Sequence, residues 1–202
     1  MTDFDPKKQQ KSEWDNMGEK ISPRRYVDTM QMRLGFKLST LDQSAYMQAA
    51  TMAMDTATPY EFKDLHSVLM RWNPYPGVYR KESILDCYPV EVRAVDFPRA
   101  DAVPKLLWMV RAEYLQMLET RPSGLTDAEL QLEIWKIAAK LRYIRPFYSG
   151  VRRVSYLFQG QMRLRHGFSF LHEEVSLDIY RRARQKYIDE NNGSYGRNLG
   201  AR

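Results

Sequence analysis

The chain has 202 residues, 44% of them hydrophobic and 28% charged, which suits one globular domain with one sizeable core. A single cysteine, Cys87, excludes an intramolecular disulfide, and no apolar run approaches the ~18 to 20 residues of a membrane span. The formal charge of +6 is uneven: residues 1–144 carry 20 basic and 20 acidic side chains, whereas residues 145–202 carry 11 and 5. Such a block suits an anionic ligand, a nucleic acid or an acidic protein, although the same charge spread over helical turns also makes an ordinary solvated face.

Residues 1–21 are polar, without sustained apolar periodicity, and read as a flexible arm lacking the apolar stretch of a signal peptide. The expected location is cytoplasmic, with delivery into a host cell without a cleaved signal as the alternative. The domain is expected over residues 22–190, followed by a flexible tail over 191–202. Ser22-Pro23 predicts a helix start, with Tyr26, Met30 and Leu34 facing inward. A second helix from about Thr40 offers Leu41, Tyr46, Ala49, Ala50 and Met54 as its apolar set. Thr58-Pro59-Tyr60-Glu61 combines an N-cap, a first-turn proline and a capping-box glutamate, so a third helix is predicted from there, burying Phe62, Leu65 and Leu69. Asn73-Pro74-Tyr75-Pro76-Gly77 then enforces a loop.

From Tyr79 to Phe97 the pattern suits a short β-hairpin or extended segment, with Pro89 arguing against a central strand. A helix over about 102–118 follows, then a turn at 121–124. Thr126-Asp127-Ala128-Glu129 is a second capping box, launching a helix with Leu130, Ile134, Ile137, Leu141 and Ile144 inward. Pro146 ends that helix. Another runs from after Gly150 towards His166, with Val154, Leu157, Phe158 and Leu164 inward and Gly167 at its end; a last one spans about Leu171 to Glu190. The fold class is mainly α, about seven helices with one small β excursion.

The stretch Arg145-Pro146-Phe147-Tyr148-Ser149-Gly150-Val151-Arg152-Arg153, continuing to Tyr156, resembles the signature of the Fic/Doc (Fido) family, His-Pro-Phe-x-(Asp/Glu)-Gly-Asn-Gly-Arg-x-x-Arg. Pro146, Phe147, Gly150 and Arg153 match. Pro76-Gly77-Val78-Tyr79-Arg80 resembles the Gly-x-x-Arg element before that family's target-docking flap, in which Tyr88 and Val90 would lie, and Phe97-Pro98 with Val103-Pro104 resembles the start of the next helix. The resemblance implies a Fic-type helical domain with a β-hairpin flap. It also implies AMPylation: a histidine base, an acidic magnesium ligand and a glycine-rich nest bring ATP, or another nucleotide, with magnesium to a target hydroxyl.

The departures from the signature bear on that chemistry. Arg145 stands at the histidine position, and arginine offers donors only, so no residue is assigned as the catalytic base. Ser149 replaces the carboxylate and is a poorer magnesium ligand. Val151 and Arg152 replace the Asn-Gly whose backbone curls around a phosphate. Arg145, Ser149, Gly150, Arg152 and Arg153 are therefore candidate ligand-binding residues, with three guanidinium groups suited to an anion or a carboxylate-rich partner. For Pro146, Phe147 and Gly150, a helix stop, a core aromatic and a turn are sufficient reasons. The family's inhibitory Ser/Thr-x-x-x-Glu-(Gly/Asn) is absent, since the residue four before Glu190-Asn191 is Lys186.

No metal site is expected, because His66, His166 and His172 show no ligand spacing with Cys87 or one another. His66 reads as a half-buried helix residue, and His166 as a favourable cation at a helix C-terminus. His172 is a remote substitute for the base. Arg181, Arg182, Arg184 and Lys186 with Tyr180 and Tyr187 form a basic, aromatic-flanked segment. Three functions compete. The first is a pseudoenzyme, effector- or toxin-like, that binds a protein partner or anionic ligand through the flap (Gly77, Arg80, Tyr88, Val90) and the arginine loop. The others are a transferase using a different phosphorylated donor, and a nucleic-acid-binding protein using the basic last third.

Overall fold

The computed structural model describes residues 22–34, 38–82, 97–170 and 177–195. Among them are seven α-helices: α1 (Pro23–Leu34), α2 (Thr40–Met54), α3 (Phe62–Leu69), α4 (Val103–Glu119), α5 (Asp127–Ile144), α6 (Val151–Arg165) and α7 (Leu177–Glu190). The polar arm, most of the expected hairpin with Tyr88 and Val90, Cys87 and His172 fall outside the described residues, as do the side chains of Met30 and Leu34.

Helix α6 is the axis of the domain, touching α2, α3, α4 and α5. Every residue from Val154 to Met162 is buried, polar ones included; Ser155 and Gln161 have partners that offset desolvation, whereas the Gln159 amide oxygen has none among the described residues. Gln161 donates its amide to the carbonyls of Asp55 (2.6 Å) and Thr58 (2.9 Å) and accepts from the Tyr114 hydroxyl. Ser155 accepts from Arg142 Nε at 2.6 Å. Next to this stretch, the buried Arg163 donates to the Ser169 carbonyl and to Gln131. Around these bonds lies an aromatic core in which Phe158 meets Phe62 and Tyr114 edge-on, at 4.5 and 4.8 Å between ring centroids.

The second capping box forms as its sequence dictates: the Thr126 hydroxyl accepts from Glu129 N–H, and the Glu129 carboxylate accepts from Thr126 N–H at 2.8 Å. The inward sets of α3 and α5 are buried. The first capping box does not form. Helix α3 begins at Phe62 with Glu61 as N-cap and no side-chain cap bond, because the residues of the box have other partners. The Thr58 hydroxyl bonds Asp55, the Tyr60 N–H reaches the Tyr114 hydroxyl, and Glu61 forms an ion pair with Arg111 on α4. On α2 the buried face is Ala45, Tyr46, Ala49, Ala50 and Ala53, small residues that admit close helix approach, and Leu41 in the first turn is 57% exposed rather than inward.

The C-terminal boundary also differs from expectation. Residues 191–195 belong to the folded domain, not to a flexible tail: a 3-10 turn over Asn192–Ser194 delivers Tyr195 into the core. There Tyr195 makes an antiparallel bridge with Pro98, and Arg99 N–H donates to the Ser194 carbonyl at 3.0 Å. Burial of this large aromatic ring, worth about 2 kcal/mol, fastens the segment after α7 to the domain.

Candidate functional site: the loop between α5 and α6

Helix α5 ends at Ile144, and Arg145 reverses the chain as its C-cap with φ 47°, a left-handed conformation. Pro146 cannot continue the helix, Phe147 turns into the core, and Gly150, with φ 73°, restarts the chain as the N-cap of α6. A Cβ at Gly150 would lie 2.8 Å from Met70 Cγ, so glycine is required there by both conformation and space.

Two residues outside the loop hold it. Arg80 is buried, and its guanidinium donates to the carbonyls of Arg145 (2.7 Å), Ile144 (3.4 Å), Pro98 (2.5 Å) and Glu82 (3.1 Å). Its own N–H donates to the Pro146 carbonyl at 2.8 Å. A cation at the C-terminal end of α5 meets the helix dipole and the carbonyls that the helix cannot satisfy. Burial pulls the Arg80 pKa down, and the guanidinium stays charged because its ordinary value is so high. Expected on the flap as a docking residue, Arg80 is a clamp on the loop.

His66 is the second holder, and it is fully buried rather than half-buried. Its Nε2 lies 3.0 Å from the Ser149 carbonyl oxygen, and its Nδ1 accepts from Gly77 N–H at 2.8 Å. Since a carbonyl only accepts and an amide N–H only donates, the ring is the neutral Nε2–H tautomer. Its face stacks on Phe147 at 3.8 Å and 11°. Burial holds its pKa below the ordinary 6.5, partly opposed by the bond to Ser149. Gly77 itself has φ 71°, and an added Cβ would lie 2.8 Å from Ser67 Oγ. The sequence offered no signal for His66 beyond its place on α3, since one bond crosses an irregular loop to Gly77 and the other reaches Ser149 far along the chain. At His166, at the end of α6, burial lowers the pKa below the ordinary 6.5, opposed by the bond between Nε2 and the Met117 carbonyl and joined by the nearby Arg121 and Arg165, so the surroundings disfavour the cation expected there.

The ligand-binding candidates occupy distinct surroundings. Arg145 lies over the Phe97 ring at 4.6 Å. Arg152 is exposed and reaches the Tyr156 hydroxyl at 3.4 Å, while Arg153 turns the other way, to Met70 Sδ and the Tyr46 ring. Ser149 accepts from Asn73 Nδ2 at 3.1 Å through its hydroxyl. Gly77 and Arg80 adjoin the loop. Beside it stand exposed apolar side chains from residues 70–78: Trp72 at 59%, Tyr75 at 54% and Val78 at 43%, with the Tyr75 ring 5.4 Å from that of Tyr148.

The fold is similar to that of a solved protein. A Fic domain-containing signaling protein from Bacteroides thetaiotaomicron superposes with a TM-score of 0.55 over 92% of this chain and 74% of that one, at 12% sequence identity. The chain has a Fic-type fold. No protein-family model and no curated protein matches it by sequence. The α5–α6 loop, headed by Arg145, is the segment on which the sequence resemblance to the family signature rests. Among the described residues no three of His, Cys, Asp and Glu cluster as a metal site would require, and no helix is long and apolar enough to cross a membrane.

Proposed function

We propose that this Fic-type domain works by binding a protein partner at the α5–α6 loop and its aromatic rim, without transferring AMP. The observation that carries the reading is the juxtaposition of exposed Trp72, Tyr75 and Val78 with a motif loop whose groups are already engaged. Aromatic side chains beside arginines are the residue types that concentrate binding energy at protein interfaces. A magnesium-bound nucleotide does not fit the donor set. Arg145 has no acceptor for a target proton, the Ser149 hydroxyl already accepts from Asn73, and Val151 presents a buried β-branched side chain where the family signature has asparagine.

A second reading is favoured by one feature. The N-terminus of α6 has no side-chain cap and carries Arg152 and Arg153 in its first turn, an arrangement that attracts a phosphorylated donor or another anion. Nucleic-acid binding by α7 is the weakest reading, because Arg181 and Lys186 lie beside Asp178 and Glu190 on the same helix. The test compares the full chain with a Trp72→Ala/Tyr75→Ala variant in photo-crosslinking from position 148. The expected result is one discrete crosslinked protein that disappears in the variant while the thermal transition is unchanged. Equal crosslinking by both proteins contradicts the reading.

A further inference from the structure

The two loops that form the proposed binding rim, residues 70–78 and 145–150, are separated in the chain by helices α4 and α5, and one side chain bonds both. We propose that His66 is the positioning residue of this site: as a neutral ring it ties Gly77 to Ser149, and on protonation it releases the two loops from each other. The proposal rests on the binding reading above for its functional meaning.

The geometry is specific to one protonation state. The bond from Gly77 N–H needs a lone pair on Nδ1, and a proton there would set donor against donor at the present 2.8 Å. The Nε2 bond to the Ser149 carbonyl at 3.0 Å would survive, so the change falls on the 70–78 side. The ring is also confined sterically, stacked on Phe147 and beside Met70 and Gly150, and cannot turn to seek another acceptor. Gly77 and Gly150, both at positive φ, are the flexible points at which each loop would yield. Displacement of Gly77 carries Tyr75 and Val78 with it and parts the Tyr75–Tyr148 ring contact.

The charged and titratable groups around His66 have other partners. On α6, Arg153 turns to Met70 and Tyr46; on α5, Arg145 covers Phe97. Glu61, before α3, pairs with Arg111 of α4, and Lys63 and Asp64 lie on α3 itself. From the loops, Tyr79 contacts Phe147, and the Tyr148 hydroxyl accepts from Lys81 N–H. Burial, with the Ser149 bond opposing it, is what sets the readiness of His66 to take a proton.

The experiment is an NMR titration of the uniformly 15N-labelled full chain from pH 8 to pH 5, following the His66 ring nitrogens and the amides of Gly77, Ser149 and Gly150. The expected result is a His66 midpoint below 6.5, with Gly77 shifting at that same midpoint. In His66→Gln, whose amide keeps one donor and one acceptor without titrating, the Gly77 shift is lost. Protonation of His66 with no response at Gly77, or a simultaneous transition of every amide in the protein, would overturn the proposal. The wild-type titration decides between these outcomes even if the variant does not fold. Because no ligand is added, failure of the partner-binding reading leaves this result untouched.

Discussion

At the C-terminal end of α5 a guanidinium has four carbonyl acceptors, an arrangement in which removing the side chain strands several buried oxygens at once. Arg80→Met keeps the length and most of the volume, so its effect reports the bonds; a loss of about 3 kcal/mol is expected, which for a domain of this size lowers the thermal midpoint by roughly 6–12 °C. Arg80→Lys should recover part of that loss, since an ammonium group retains charge at the helix end without the fork of donors. The imidazoles of His66 and His166 set a second dependence. Burial lowers both below 6.5, so the unfolded chain takes up these protons more readily than the folded one. Their contribution is complete above about pH 6.5 and is lost as pH falls below it. Urea midpoints at pH 7.5 and 5.5 measure this: the lower pH gives the lower midpoint, and His66→Gln reduces the difference.

At the scale of the element, α6 shows why a helix in the middle of a bundle is hard to recognise. Its sequence alternates arginine, glutamine and apolar residues and reads as one apolar stripe on a solvated helix, yet Gln159, Gly160 and Gln161 are as buried as Leu157. Gly160 is there for space: an added Cβ would come within 2.4 Å of the Phe170 ring, itself buried and unable to withdraw. Gly160→Ala should therefore destabilise by about 1–3 kcal/mol through overpacking, although alanine is the better helix former, and chemical denaturation would read that sign. The two capping boxes make the complementary point. Thr126→Ala should cost about 1 kcal/mol, as loss of a working N-cap does. The box at Thr58 is equally good as a local pattern, but Arg111 and Gln161, distant in sequence, draw its Glu61 and its carbonyls into tertiary bonds, and the helix starts at Phe62. Among the described residues local pattern decided which segments are helical; boundaries depended on partners that periodicity does not reveal.

For the molecule as a whole, the helical class and the place of the α5–α6 loop were legible because Pro146, Phe147 and Gly150 serve folding and keep their residue types at fixed spacing. The surroundings of the loop were not. The turn of Arg153 to Met70, the stacking of Arg145 on Phe97, the clamp by Arg80 and the tie of His66 to Ser149 depend on contacts between segments far apart in the chain, whereas Arg152 stays with Tyr156 one helical turn away. Tyr195 was missed for the same reason, since nothing near it in sequence announces Pro98 as a neighbour. The function proposed for this Fic-type fold is recognition through its motif loop, without nucleotide transfer. Calorimetry of the full chain with ATP, with and without magnesium, together with an assay for labelled AMP on protein, tests it most directly. No magnesium-dependent binding and no transferred label are expected; tight magnesium-dependent binding of ATP, or AMP on a protein hydroxyl, would overturn the proposal.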